Sequence, residues 1–336
     1  MLRKRRKIKT LILGDSFSGN VYAAQDPGNS LLLSWPGATS TLDGWGFADT
    51  CIDRTPIFLE EPDCLRRLGF ESYEIDYEYV LIGEEASLKD KFSLRGEETP
   101  NNTWYDLFPK TYSNVHKPVL SWCQIIKLLR NNVEVPRLYA SITSINPEER
   151  TVLLEGGVLI EYEDIVSSIP QDLLLSRLRG VDLKNISENY AYLPYNISLI
   201  IGEIDQRIGE NEVVVYALGR KRYVASHTIL LKSFINATTK EHTLIYVLTP
   251  LRRGADKTEI LVKNFSELKN LGIKVREVVF ARSYLEKYGR ILKLGRSSHD
   301  EILKELNIRF IGRYGSWEEL SICNIIKKIQ STHKRL

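Results

Sequence analysis

Ile8-Lys9-Thr10-Leu11-Ile12-Leu13-Gly14-Asp15-Ser16-Phe17-Ser18-Gly19 opens the stretch that decides the fold, and Leu31-Leu32-Leu33-Ser34-Trp35-Pro36-Gly37 closes it. The first six residues are short, apolar and β-branched and run straight into a glycine, which is the pattern of a buried strand. A helical segment through Val21, Ala23 and Ala24 follows, and Asp26-Pro27-Gly28-Asn29 breaks it. The second apolar run is again a buried strand. Strand, glycine turn, helix and strand in such short order make a βαβ unit, and a crossover of this kind forces parallel pairing.

Outward from this unit, a long irregular stretch rich in Gly, Pro, Asn and aromatics runs to Pro118, and residues 120–129 read as a helix. Residues 140–145, 151–154 and 158–162 alternate and are separated by Asn146-Pro147-Glu148-Glu149-Arg150 and Glu155-Gly156-Gly157, which predicts a β-meander. It leads into Asp164-Ile165-Val166-Ser167-Ser168-Ile169-Pro170, another short buried strand, expected to join the sheet of the βαβ unit. Strand patterns recur at 195–201, 212–216, 223–229, 242–248 and 275–281, interrupted by a helix at 257–271, as one mixed sheet. The chain finishes with a helix at 300–306, a strand at 309–311, the turn Gly312-Arg313-Tyr314-Gly315 and a helix at 321–332.

The 336 residues carry 46 Lys+Arg against 43 Asp+Glu. Arg3, Lys4, Arg5, Arg6, Lys7 and Lys9 hold six of the positive charges, so the rest of the chain is slightly acidic. A general nucleic-acid-binding face is disfavoured; the basic run reads as a solvated terminus, with a local contact to nucleic acid or acidic lipid as the other reading of it. No apolar run approaches the ~18–20 residues that span a bilayer, and the tail lacks the apolar core of a signal peptide, so a cytoplasmic protein is expected. Cys51, Cys64, Cys123 and Cys323 lie far apart, and none of the five histidines stands near a cysteine or another histidine. Neither a disulfide framework nor a metal site is expected.

The turn at residues 14–19 is an imperfect G-x-G-x-x-G. Glycines there permit a tight turn and close approach of phosphate to the helix N-terminus. The second glycine is Ser16, and the carboxylate that binds ribose at the end of the second strand is replaced by Ser34 and Trp35.

Two further stretches give this weak motif a context. Residues 153–170, with Gly156-Gly157 and Asp164-Ile165-Val166-Ser167-Ser168-Ile169-Pro170, resemble the meander and following strand of FAD-dependent oxidoreductases of the amine-oxidase, protoporphyrinogen-oxidase and UDP-galactopyranose-mutase group. Gly312-Arg313-Tyr314-Gly315-Ser316-Trp317 is similar to that group's turn beside the flavin, and Tyr288-Gly289-Arg290-Ile291 sits where relatives carry a tyrosine-rich strand.

The resemblance implies an α/β fold, with a Rossmann-like FAD-binding domain of parallel sheet and β-meander, plus an α+β substrate domain on a mixed sheet. The cofactor domain would comprise residues 1–80, 135–180 and 285–336, and the substrate domain 81–134 and 181–284. Carried over by position, Gly14, Asp15, Ser16, Phe17, Ser18 and Gly19 would meet the FAD pyrophosphate. Ser34 and Trp35 would lie near the adenosine ribose, and Ile142 matches a valine whose backbone holds adenine. Ser168, Gly312, Arg313, Tyr314 and Asn324 complete the cofactor set, with Asn324 near a position where relatives are acidic. Arg290, Tyr288 and Trp317 are the substrate-side candidates.

No nucleophile–His–Asp set is expected, because a flavin carries the chemistry itself. His227 reads as structural, and Asp43 in Asp43-Gly44-Trp45-Gly46 as a loop turn or a flavin-side loop. Two function classes stand. One is an FAD-dependent oxidoreductase or isomerase acting on a small organic or nucleotide-sugar substrate. The other is a flavoenzyme-like subunit of a protein complex with weakened cofactor binding.

Overall fold

The computed structural model describes residues 5–36, 41–47, 50–94, 115–180, 190–205, 212–233, 242–251, 257–293 and 306–333. The chain opens with β1 (Arg5–Leu13), α1 (Phe17–Ala23), β2 (Ser30–Ser34), β3 (Gly44–Phe47), β4 (Thr50–Asp53), β5 (Ser72–Ile75), β6 (Tyr77–Gly83), α2 (Glu85–Phe92) and β7 (Val115–Pro118). Next come α3 (Trp122–Asn132), β8 (Arg137–Tyr139), β9 (Ile142–Asn146), β10 (Thr151–Leu154), β11 (Leu159–Ser167) and α4 (Gln171–Leu175). Then follow β12 (Tyr190–Ile204), β13 (Val213–Gly219), β14 (His227–Ser233), β15 (His242–Pro250), α5 (Lys257–Asn270) and β16 (Val275–Lys293). β17 (Ile308–Phe310), α6 (Gly312–Ser316) and α7 (Ile322–His333) end it. These elements form two compact units: Met1–Ser40, Gln124–Ala191 and Ile291–Leu336 in the first, Thr41–Cys123 and Tyr192–Arg290 in the second.

The first unit is built on a sheet of order β8-β2-β1-β11-β10-β9, with β17 also on β11. β1 pairs in parallel with β2 and with β11, Leu13 standing opposite both Leu33 and Ser167. Leu11, Ile12, Leu13, Leu32 and Leu33 are fully buried. That is why these strands read as continuous apolar runs: a parallel sheet is covered on both faces. The expected strand–helix–strand and its junction with the strand after Asp164 are therefore present. β9, β10 and β11 form the antiparallel meander.

The second unit carries a six-stranded sheet of order β16-β12-β15-β14-β13-β6. One face packs Ile200, Val214, Leu230, Ile245 and Val247 against Leu268 and Ile273, contributed by α5 and the turn after it. The mixed sheet expected from the sequence is this one.

Several elements depart from the sequence reading. The first strand starts at Arg5, so residues 5–9 are not a free tail: they lie in register with Leu159 to Ile160 and beyond, and Lys7 pairs with Glu163 at 3.5 Å. Backbone hydrogen bonds to a neighbouring strand carry a charged run that has no apolar pattern of its own. The last meander strand and the strand after it are one continuous strand, β11. β16 is 19 residues long, where only its first part showed strand alternation. Residues 41–80, assigned by sequence to the cofactor domain, cluster with the second unit. β6 lay inside the stretch read as irregular. It is an edge strand, parallel to β13 and half-exposed, so it lacks a core-type run. The sequence Gly312-Arg313-Tyr314-Gly315 is one turn of helix rather than an open turn. Of the predicted 300–306 helix, only residue 306 is described, and it is a turn.

A disulfide joins Cys51 on β4 to Cys123 in the first turn of α3, with Cα atoms 6.1 Å apart. The cysteine reading is corrected accordingly. The pair is separated by 72 residues in sequence, and only the tertiary fold brings the β3–β4 hairpin to the start of α3. Among the described residues no group of His, Cys, Asp and Glu fits a metal, and no helix is long and apolar enough to cross a membrane.

Candidate functional site

Gly14 ends β1 with φ +106°, a left-handed conformation that glycine adopts without strain, and its amide donates to Leu33 O at 2.9 Å. A Cβ at this position would collide with Ser168 Oγ, and one at Gly19 would collide with the carbonyl of Gly14. The two glycines are thus required where α1 crosses the end of β1, which is the packing a dinucleotide turn demands.

Ser16 is the N-cap of α1. Its Oγ accepts from the Gly19 amide at 3.2 Å and donates to Ser168 Oγ at 2.8 Å, and Ser168 in turn donates to Leu13 O at 3.1 Å. The hydroxyl at the second-glycine position is therefore spent inside the turn. This removes the main objection to a phosphate there, since the side chain is held against Ser168. On this test the turn fits a dinucleotide cofactor.

Asp15 brings together residues that no motif revealed. Arg137 Nη1 lies 2.8 Å from Asp15 Oδ1 and Arg130 Nε lies 3.1 Å from Asp15 Oδ2, while Arg130 Nη2 donates to the Asp15 carbonyl at 2.8 Å. Asn20 donates to the same carboxylate and accepts from Arg137. Two guanidinium groups thus face one carboxylate at the turn, and guanidinium is the group that pairs best with an anion. Arg130 on α3 and Arg137 on β8 are isolated in sequence, so only the fold shows them as a pair.

Gly312 (φ +73°) starts α6, and a Cβ there would meet Ser18 Oγ. One at Gly315 would meet the carbonyl of Ser167. The turn after β1, the end of β11 and α6 thus converge through glycine contacts. Arg313, expected to border a flavin, makes a two-point ion pair with Glu319, Nε–Oε2 and Nη2–Oε1 both 2.8 Å, and stacks on Tyr314 at 5.1 Å. Glu319 also accepts from the Ile291 amide. Trp317 is 2% exposed, donates to Leu292 O at 3.2 Å and packs edge-on against Tyr190. It is a core residue. Asn324 is exposed near the start of α7, where its amide is capped by Ser321 Oγ at 3.2 Å.

At the end of β2, Ser34 accepts from the Ala140 amide through its carbonyl, and Trp35 is buried beneath the Arg177 guanidinium, 5.5 Å from the ring centre. Ile142 is buried at the start of β9.

In the second unit, Tyr288 accepts from Lys287 Nζ at 2.7 Å and meets the Tyr192 ring edge-on at 5.1 Å. Arg290, 1% exposed, donates to Phe92 O at 2.5 Å and lies over the Phe92 ring. His227 is buried against Ser226 Oγ, and desolvation, followed by the nearby Lys91 charge, pushes its pKa down to about 3. That fits its structural assignment. Asp43 accepts from the Arg54 amide through its carbonyl, closing the β3–β4 hairpin.

No family model matches the chain, and no curated protein matches it. Solved structures do. A reduced UDP-galactopyranose mutase superposes with TM-score 0.72 over 100% of this chain and 95% of its own at 11% identity. Wild-type putrescine oxidase bound to putrescine gives 0.65, with coverage of 98% and 99% at 10% identity. The CLA-producing fatty acid isomerase from P. acnes gives 0.62, with coverage of 98% of both chains at 11% identity. The agreement spans the whole length, both units included, while so little sequence is shared that it speaks for fold alone. The chain has the fold of the FAD-dependent amine-oxidase-like flavoproteins.

Proposed function

We propose that the protein is an FAD-dependent oxidoreductase or flavin-dependent isomerase acting on a small organic or nucleotide-sugar substrate. The observation that carries this reading is the Gly14 turn with the Ser16 hydroxyl directed into the fold. Arg130 and Arg137 face Asp15 beside this turn and put two guanidinium groups next to it. In this reading residues 14–19 hold the pyrophosphate, and Ser34, Trp35 and Ile142 frame the adenosine. Ser168, Gly312, Arg313, Tyr314 and Asn324 complete the cofactor's surroundings. Arg313, neutralised by Glu319, fixes the chain at Ile291 rather than presenting a free charge. When bound, a flavin supplies hydride and electron transfer. Tyr288, Arg290 and Trp317 then act by shaping and supporting the substrate side, since Arg290 and Trp317 are buried in contacts of their own.

A second reading has its own observation. The end of β2 offers no carboxylate to a ribose, and Arg177 covers Trp35 there. A non-catalytic subunit that keeps the fold but binds FAD weakly, and acts in a homo- or hetero-oligomer, is favoured by that feature. A cytoplasmic location belongs to the first reading, and the Cys51–Cys123 bridge stands against it, because disulfides are rare in that compartment. The deciding experiment is the visible spectrum of the purified protein together with its melting temperature under added FAD. A yellow protein, or a colourless one stabilised by FAD, supports the enzyme. A colourless protein indifferent to FAD leaves the subunit reading.

A further inference from the structure

Four arginines with partly buried side chains are matched by acids. Arg130 and Arg137 share Asp15, Arg309 meets Asp164, and Arg313 meets Glu319. Arg54, in the second unit, is different. It follows β4, and its guanidinium lies 5.8 Å from the ring centre of Trp45 on β3 and 5.0 Å from that of Tyr284 on β16. Its Nε is buried without a hydrogen-bond partner, and no carboxylate of the described residues pairs with it. Glu286, two residues beyond Tyr284, is spent on the Tyr284 hydroxyl and the Tyr288 amide.

A guanidinium held by two aromatic rings has its apolar faces in contact and its charge only partly answered. What it still offers is its in-plane edge of N–H donors, a fork that matches a carboxylate or a phosphate. Phe280, two positions before Arg282 and four before Tyr284, projects from the same face of β16. It packs against Trp45 at 5.9 Å and Phe47 at 5.4 Å, and Arg282 lies over it at 5.5 Å. The patch therefore combines an immobilised anion receptor, a wall of flat rings and a second cation.

We propose that Arg54, between Trp45 and Tyr284, is the anion-holding residue of a site for an organic acid, a carboxylate or phosphate carried on a flat apolar body. As a substrate class this deepens the flavoenzyme reading and rests on it, but binding at Arg54 is measured without reference to the flavin. Ordering costs are low, because the stacked fork is already in place before the ligand arrives.

The test is calorimetric titration of the full chain with phenyl phosphate, benzoate and, as the neutral probe, benzyl alcohol. At least one anion should bind about tenfold or more tighter than the alcohol, and the stronger of the two identifies phosphate or carboxylate. Arg54→Met should erase that preference, while Arg282→Met should leave most of it. If Arg54→Met does not fold, Arg54→Lys serves, since it keeps the charge and loses the fork, and the preference should drop several-fold. Equal binding of acid and alcohol, no binding of either acid, or an unchanged preference without Arg54 overturns the proposal. The visible flavin spectrum, recorded on the same samples, reports separately on the cofactor reading.

Discussion

The Ser16 hydroxyl donates to the Ser168 hydroxyl at 2.8 Å, joining two residues 152 positions apart. This contact ties the turn after β1 to the end of β11, and it explains how a serine is accommodated where a dinucleotide turn uses its second glycine. Ser16 also caps α1 through the Gly19 amide. Its role is therefore first a stabilising one.

Ser16→Ala should lower unfolding stability by about 1–2 kcal/mol, from the lost cap and the lost buried hydrogen bond. Urea denaturation measures it. FAD affinity should change by less than about tenfold. Ser34→Glu, which restores the missing ribose acceptor, should instead tighten FAD by roughly ten- to a hundred-fold, for a charged hydrogen bond of about 1.5–3 kcal/mol. Titration of apoprotein with FAD separates the two sites.

Gly312→Ala should destabilise the first unit by a few kcal/mol, order of magnitude, because a left-handed residue gains a Cβ that runs into Ser18 Oγ. Ser18→Gly in the same chain should recover part of the loss by removing the collision. The φ penalty would persist. A double-mutant cycle in thermal melts reads the coupling, and strict additivity would mean that the two residues do not meet.

His227 gives the second unit a predictable acid limb. Burial, then the charge of Lys91, pushes its folded pKa down from 6.5 to about 3. Between these values the unfolded chain holds a proton that the folded chain does not. The contribution to stability is thus full above the unfolded pKa and is lost as pH falls toward the folded one. At about pH 5 the loss is about 2 kcal/mol. His227→Gln should flatten that part of the stability profile, and an unchanged slope would show that other groups govern it.

The Cys51–Cys123 bridge closes a loop across 72 residues of sequence separation. A loop of that size predicts a stabilisation of about 4–5 kcal/mol in the chain-entropy account. Cys51→Ala should lower the melting temperature, and reductant should lower that of the parent chain by more than that of the variant. Mass spectrometry of unreduced peptides verifies the pairing directly.

Residues 8–35 determined the parallel βαβ core without help from the rest of the chain. Local rules suffice there: apolar runs buried on both faces, a glycine at positive φ, and a proline-glycine break all act over a few residues. The meander was equally legible, because its alternation and its turns are local. The longer extent of β1 and β16 was not. Charged or exposed residues are held in those strands by backbone pairing, which leaves no mark on the side-chain pattern. Tertiary structure alone decided the meeting of Ser16 with Ser168, of Asp15 with Arg130 and Arg137, of Cys51 with Cys123, and of Arg54 with Tyr284. Each of these contacts joins distant segments whose approach depends on the packing of the whole core, and no spacing along the chain encodes it.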